Sequence, residues 1–157
     1  MSGVPFSIDE YVRWSDVDHA GIIFYGAYVR FFEIAETEMF RAAGLPYSTF
    51  VERLGVWLPR AHFACDFHYP ARLDDRLRVV SYVSAFGRTS LTLSFDVWHL
   101  GAARLAASAR EVLVCADRTS LAPVPIPGAL RQALAPFVFS EAAARDAVTP
   151  AAGTPAS

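Results

Sequence analysis

Lysine is missing: all 14 basic residues of the 157-residue chain are arginine. Schiff-base chemistry and a lysine general base are therefore excluded. Arginine's planar fork still suits phosphate wherever it lies free, and the many alanines point to a GC-rich coding bias behind the choice. Cysteine is scarce. Cys65 and Cys115 are too far apart for a disulfide framework and sit in alternating apolar stretches, so reduced, buried thiols in a cytoplasmic protein are expected. Charge is low too, at 19% with a net of −2, and no basic stripe with interleaved aromatics appears, which excludes a nucleic-acid footprint. No apolar run approaches the roughly 18 residues of a membrane helix. The opening "MSGVPFSIDEYVRW" lacks a basic region followed by an apolar core, so neither export nor membrane contact is expected. What the chain does have is 54% hydrophobic and 13% aromatic residues, enough for the core of one domain with apolar surface left to hide by self-association.

The hydrophobic period changes once. Phe6 to Trp14 reads as a first strand ended by the turn chemistry of Ser15 and Asp16. From Gly26 to Ala43, Tyr28, Phe31, Phe32, Ala35, Met39, Phe40 and Ala43 recur every three or four residues, which predicts one long helix stopped by Gly44 and Pro46. Tyr47 to Gly55 reads as a short helical turn. The period then becomes two. Phe63, Cys65, Phe67 and Tyr69 share one face of a half-buried strand, "RLRVVSYVSAF" is a second, and "TSLTLSFDVWH" a third joined to it by a hairpin at Gly87 and Arg88. Arg104 to Ala116 is a further, central strand. "PVPIPGALRQALAPF" closes with a proline-bounded helix. The class is α+β, a long helix against an antiparallel sheet of about five strands. Residues 1–139 form the single domain, and the Ala/Pro-rich stretch 140–157 is expected to be a mobile tail.

Asp16 and Asp18 precede the most hydrophobic helix. From residue chemistry alone Asp16 reads as a turn or cap residue, and Asp18 stays open between a turn cap and a reactive carboxylate. Asp16, Asp18 and His19 are too crowded for usual metal-ligand spacing, so no metal is expected. "RWSDVDHAGIIFYGAYVRFFEIAETEMFRAAGLP", then "FHYPARLDDRLRV", "GRTSLTL" and "EVLVCAD", resemble the 4-hydroxybenzoyl-CoA thioesterase family of hotdog domains, from about Val12 to Asp117.

The resemblance implies a hotdog fold, hydrolysis of an acyl-CoA thioester without cofactor, and an active site at a dimer interface within a homotetramer. It assigns the catalytic carboxylate to Asp18 and carbonyl polarisation to the backbone amide of Tyr25. A helix start supplies unsatisfied amides and a positive dipole end, and a carboxylate beside it can attack the carbonyl or activate water. Gly21 lets the loop turn tightly, and Phe24 lies with Ile22, Ile23 and Tyr25 at the reacting end, with Trp57 and Phe63 expected nearby. Arg88, Thr89 and Ser90 fall where the family meets the CoA phosphates, with Arg60, Arg72 and Arg118 as weaker candidates. Glu33 is expected to be a buried structural acceptor. Tyr25, where the Tol-Pal-linked branch has histidine, favours an aromatic or short acyl group. The competing readings are a hotdog hydratase, for which His19 is wrongly spaced, and a non-catalytic acyl-CoA sensor, which needs no acid at Asp18.

Overall fold

In the computed structural model, which describes residues 3–148, one long helix is embraced by a five-stranded antiparallel sheet. The chain runs β1 (Phe6–Tyr11), α1 (Tyr28–Ala42), α2 (Tyr47–Leu54), β2 (Val56–Trp57), β3 (Arg60–Phe67), β4 (Arg76–Phe86), β5 (Ser90–His99), β6 (Arg104–Val114), β7 (Ala116–Asp117), α3 (Gly128–Leu134) and α4 (Glu141–Val148). The sheet order is β1-β4-β5-β6-β3, and β2 pairs with β7 in a separate ribbon. None of the helices among the described residues is long and apolar enough to cross a membrane.

The helix forms where the period of 3.6 predicts it. Phe31, Ala35, Met39 and Phe40 are fully buried on its sheet-facing stripe, each large side chain contributing roughly 1.5 to 3 kcal/mol of apolar burial. It ends at Gly44, whose φ of +79° favours a residue without Cβ, and the Leu45 N–H returns to the Phe40 carbonyl at 2.9 Å. From below, Leu91, Leu93, Phe95 and Val97 of β5 point inward, and the Phe32 and Phe95 rings meet at 5.0 Å. β6 is paired on both sides, as its two-sided apolar character predicts.

Four departures have physical causes. β1 stops at Tyr11, three residues early, because Val12 leaves the ladder to exchange backbone bonds with Asp74 and Asp75, each 2.9 Å. β3 is exposed along most of its length because it is an edge strand that α1 only partly covers. The β2–β7 ribbon is too short to leave a sequence period. The expected mobile tail is corrected over Glu141–Val148: these residues form α4, which buries Ala144 against Val80, Tyr82 and Trp98 on the sheet's outer face. Arg145 binds Asp96 at 3.1 Å there, and burial raises the Asp96 carboxyl above its ordinary range. Tail composition alone does not reveal this partner. The rest of that stretch, 149–157, lies outside the described residues.

Candidate active site

The loop between β1 and α1 is a closed turn. Val17 and Ile23 bridge its two arms. Inside it the Asp18 N–H donates to the Ile22 carbonyl at 3.2 Å, and the Gly21 N–H donates to the Asp18 carbonyl at 2.9 Å. Gly21 has φ +75°, as its expected role requires. The Asp18 side chain is exposed, and its Oδ1 accepts the Ala20 N–H at 2.8 Å. The turn is tied down by the Ile23 N–H to the Ala71 carbonyl at 2.8 Å and the Phe24 N–H to the Asp16 carbonyl at 3.0 Å. Asp16, by contrast, is buried and is held by Arg30, with Nε to Oδ1 at 3.0 Å, and by the Arg13 N–H at 2.8 Å. It is the capping residue that local chemistry suggests.

Tyr25 opens a 3₁₀ turn, Tyr25–Ala27, that runs directly into α1. First-turn amides lack intrahelical acceptors, so the Tyr25 N–H is of the type that can receive a carbonyl oxygen. The Tyr25 side chain is 79% exposed. With Ile22, Tyr28, Phe67 and Tyr69 it lines a cavity of about 310 Å³. Phe67 and Tyr69 are contributors that sequence reasoning passed over; their shared strand face was the available signal. Burial pushes the Tyr28 hydroxyl up to about 12 and the Cys65 thiol up to about 11, so both keep their protons at neutral pH. Cys65 is therefore unsuited to act as a nucleophile.

Not every expected residue joins this loop. Arg88, Thr89 and Ser90 form the β4–β5 hairpin, at the far end of β4 from Asp18. Its backbone is anchored by Ile126 N–H to Arg88 carbonyl at 2.9 Å and Cys115 N–H to Thr89 carbonyl at 2.7 Å, leaving the Arg88 side chain exposed. Arg131 of α3 joins this end by donating to the Gly87 carbonyl, a basic neighbour not anticipated. Arg72 instead lies beside the β1–α1 loop, within 3.8 Å of where a Gly21 Cβ would sit. Trp57 is also displaced from the expected position: it sits on β2 beside α2, whereas Phe63 packs along α1 on Phe32 with ring centroids 6.0 Å apart.

A second polar cluster sits further along the α1–β3 groove. The expectation for Glu33 is corrected, since its side chain is exposed, and Glu36, one turn on, is the buried acceptor. Glu36 takes hydrogen bonds from Tyr47 and from Arg60. Arg60 also reaches Glu111, at 3.7 Å. Arg60 is thereby committed to this ion cluster, which removes it from the phosphate candidates. Burial, aided by Glu36, pushes the Glu111 carboxyl up to about 7.

A long helix gripped by an antiparallel sheet, with an acidic turn set against the helix start, defines a hotdog thioesterase, and the chain belongs to the thioesterase-like superfamily, which it matches over residues 12–134. It is 28% identical over 117 residues to the acyl-CoA thioester hydrolase YbgC of Escherichia coli, covering 74% of this chain and 85% of that one. A solved gentisyl-coenzyme A thioesterase superposes with a TM-score of 0.70 at 26% identity, over 82% of this chain and 98% of the other. A 4-hydroxybenzoyl CoA thioesterase solved with 4-hydroxybenzoyl CoA shares the fold, with a TM-score of 0.76 at 22% identity over 84% and 99%.

Proposed function

We propose that this chain hydrolyses acyl-CoA thioesters to the free acid and CoA, with Asp18 as the catalytic carboxylate and the Tyr25 amide polarising the carbonyl. The observation that carries this reading is the closed turn from Asp18 to Ile22, which presents an exposed carboxylate in the loop directly ahead of the 3₁₀ turn that leads into α1. A thioester carbonyl oxygen at those amides gains negative charge as its carbon is attacked, and fixed donors stabilise that charge without reorganising. Asp18 acts in one of two balanced ways. As nucleophile it displaces the CoA thiolate and forms a mixed anhydride, which water then opens to acid and free Asp18. As general base it takes a proton from water, whose oxygen bonds to the carbonyl carbon while the thiolate leaves and is protonated.

Substrate binding draws on Gly21 and Phe24 beside the turn, and on Arg88, Thr89 and Ser90 toward the nucleotide. The aromatic lining of Tyr25, Tyr28, Phe67 and Tyr69 favours a compact aromatic or short acyl group. Because the two ends of the substrate site are far apart in one chain, the working unit is a homo-oligomer in which dimers join edge to edge along β3 and pair into tetramers. The unpaired β3 edge and the exposed Val29, Phe63 and Phe67 support that surface. Two free cysteines suit the cytoplasm. A thiol-release assay over benzoyl-, phenylacetyl-, butyryl- and palmitoyl-CoA tests the activity. Absence of turnover on all four, with CoA still bound, would favour the sensor reading instead.

A further inference from the structure

Asp16 is 2% exposed, yet Asp18, two residues on, lies open to solvent. Asp16 is engaged through its whole polar surface. Its N–H donates to the Arg13 carbonyl at 2.9 Å, its carbonyl accepts the Phe24 N–H at 3.0 Å, and its Oδ2 accepts the Arg13 N–H at 2.8 Å. The guanidinium of Arg30 closes on both carboxylate oxygens, Nε on Oδ1 at 3.0 Å and Nη2 on Oδ2. Arg30 stands in the first turn of α1, its guanidinium 4.4 Å over the Phe31 ring and 3.9 Å from Glu10 of β1. Asp16 thus joins, through its carboxylate, the exit of β1 and the helix, and through its backbone carbonyl, the second arm of the turn.

A turn cap needs only the backbone contact to Arg13. The two-oxygen grip from the helix adds something a cap does not: a planar fork fixes rotation as well as distance. Asp18 follows Asp16 by two residues, through the extended backbone of Val17, while Tyr25 follows the Phe24 amide that the Asp16 carbonyl also holds. We propose that Asp16 and Arg30 are a positioning pair that sets the Asp18 carboxylate against the Tyr25 amide. Neither touches the thioester; both act through the groups that do. The inference rests on the reading of Asp18 and Tyr25 as the reacting groups. Reacting atoms must approach at about 3 to 3.5 Å, and a misplacement of about 1 Å can cost on the order of a hundredfold in rate.

The test measures thiol release from benzoyl-CoA and butyryl-CoA by the full chain and its Asp16→Asn, Arg30→Gln, Arg30→Lys, double Asp16→Asn/Arg30→Gln and Asp18→Asn variants, each well below its melting temperature. Asp16→Asn and Arg30→Gln are each expected to lower kcat by about ten- to a hundredfold with KM changed less than about threefold. The double variant should be no worse than the poorer single by more than about threefold, since both remove one interaction. Arg30→Lys should recover part of the loss, keeping the charge but not the fork. A purely structural pair would lower the melting temperature and leave kcat of the folded fraction alone. A kcat within about twofold of wild type in folded Arg30→Gln, or multiplicative losses in the double, overturns the pairing. Should Asp16→Asn unfold, the Arg30 variants decide, because that side chain is 33% exposed and outside the core. An active Asp18→Asn sinks the reading of Asp18 itself, whereas an inert Asp18→Asn beside an unimpaired Arg30→Gln sinks the positioning pair alone.

Discussion

Asp18 and Arg88 stand at opposite ends of the sheet. Between the loops that carry them runs β4, an 11-residue strand, which at about 3.3 Å per residue separates them by roughly 30 Å. If the nucleotide end of CoA meets Arg88, the Arg88 and Asp18 of one site come from different copies. Arg88→Ala should then raise KM for acyl-CoA and weaken its salt dependence, with kcat changed little. A truncated thioester lacking the nucleotide should be indifferent to the change; equal damage to both substrates would make Arg88 structural.

Asp18→Asn keeps the side chain's size and its acceptor for the Ala20 N–H, but removes the charge proposed to attack the carbonyl or deprotonate water. Its kcat is expected to fall by at least about a thousandfold, with the melting temperature nearly unchanged because the residue is exposed. More than a few per cent of wild-type kcat remaining would count against the assignment.

The aromatic cavity at Tyr25 leads to a substrate order. Aromatic pairs gain roughly 0.5 to 1.5 kcal/mol beyond area burial, so kcat/KM for benzoyl-CoA or phenylacetyl-CoA should exceed that for palmitoyl-CoA by at least about tenfold, or roughly 1.4 kcal/mol. Butyryl-CoA should be turned over as well, because apolar pockets discriminate weakly between small acyl groups. Palmitoyl-CoA hydrolysed as well as benzoyl-CoA would remove the aromatic preference.

Stability should depend on pH through Glu111. Burial and Glu36 raise its folded carboxyl from an ordinary 4.5 to about 7, so between those values the native chain holds a proton that the unfolded chain has lost. The contribution is complete below about 4.5 and is lost as pH rises through about 7, at about 1.36 kcal/mol per unit over roughly 2.5 units, or about 3 kcal/mol in all. Denaturant titrations at several pH values should show this decline in the wild type and its absence in Glu111→Gln. The same slope in both would assign it elsewhere.

Arg145 offsets the buried charge of Asp96, whose side chain is 1% exposed. Arg145→Ala should destabilise the fold by about 2 kcal/mol, less than for a fully buried pair because water reaches the arginine. Acid should narrow the gap between variant and wild type, since Asp96, already raised by burial, becomes neutral and no longer needs a partner. A gap that is constant with pH would place the effect in the packing of α4.

The amino-acid order by itself determined the elements whose pattern is local. A run of apolar residues three and four apart can bury one stripe only as a helix, so α1 was legible, expected over Gly26 to Ala43 and formed over Tyr28–Ala42; alternation at Leu91, Leu93, Phe95 and Val97 can face one core only as a strand. The spacing of Asp16, Asp18 and Gly21 likewise marked the turn, because turn chemistry acts within four residues. Tertiary structure decided what depends on partners distant in sequence. Arg30 finds Asp16 14 positions away, Arg60 finds Glu36 24 away, and Arg145 finds Asp96 49 away. Those pairings made Glu36 rather than Glu33 the buried acid, withdrew Arg60 from the phosphate candidates, and turned part of an Ala-rich tail into a docked helix. Charge and burial act through space, and only the folded sheet brings those side chains within reach.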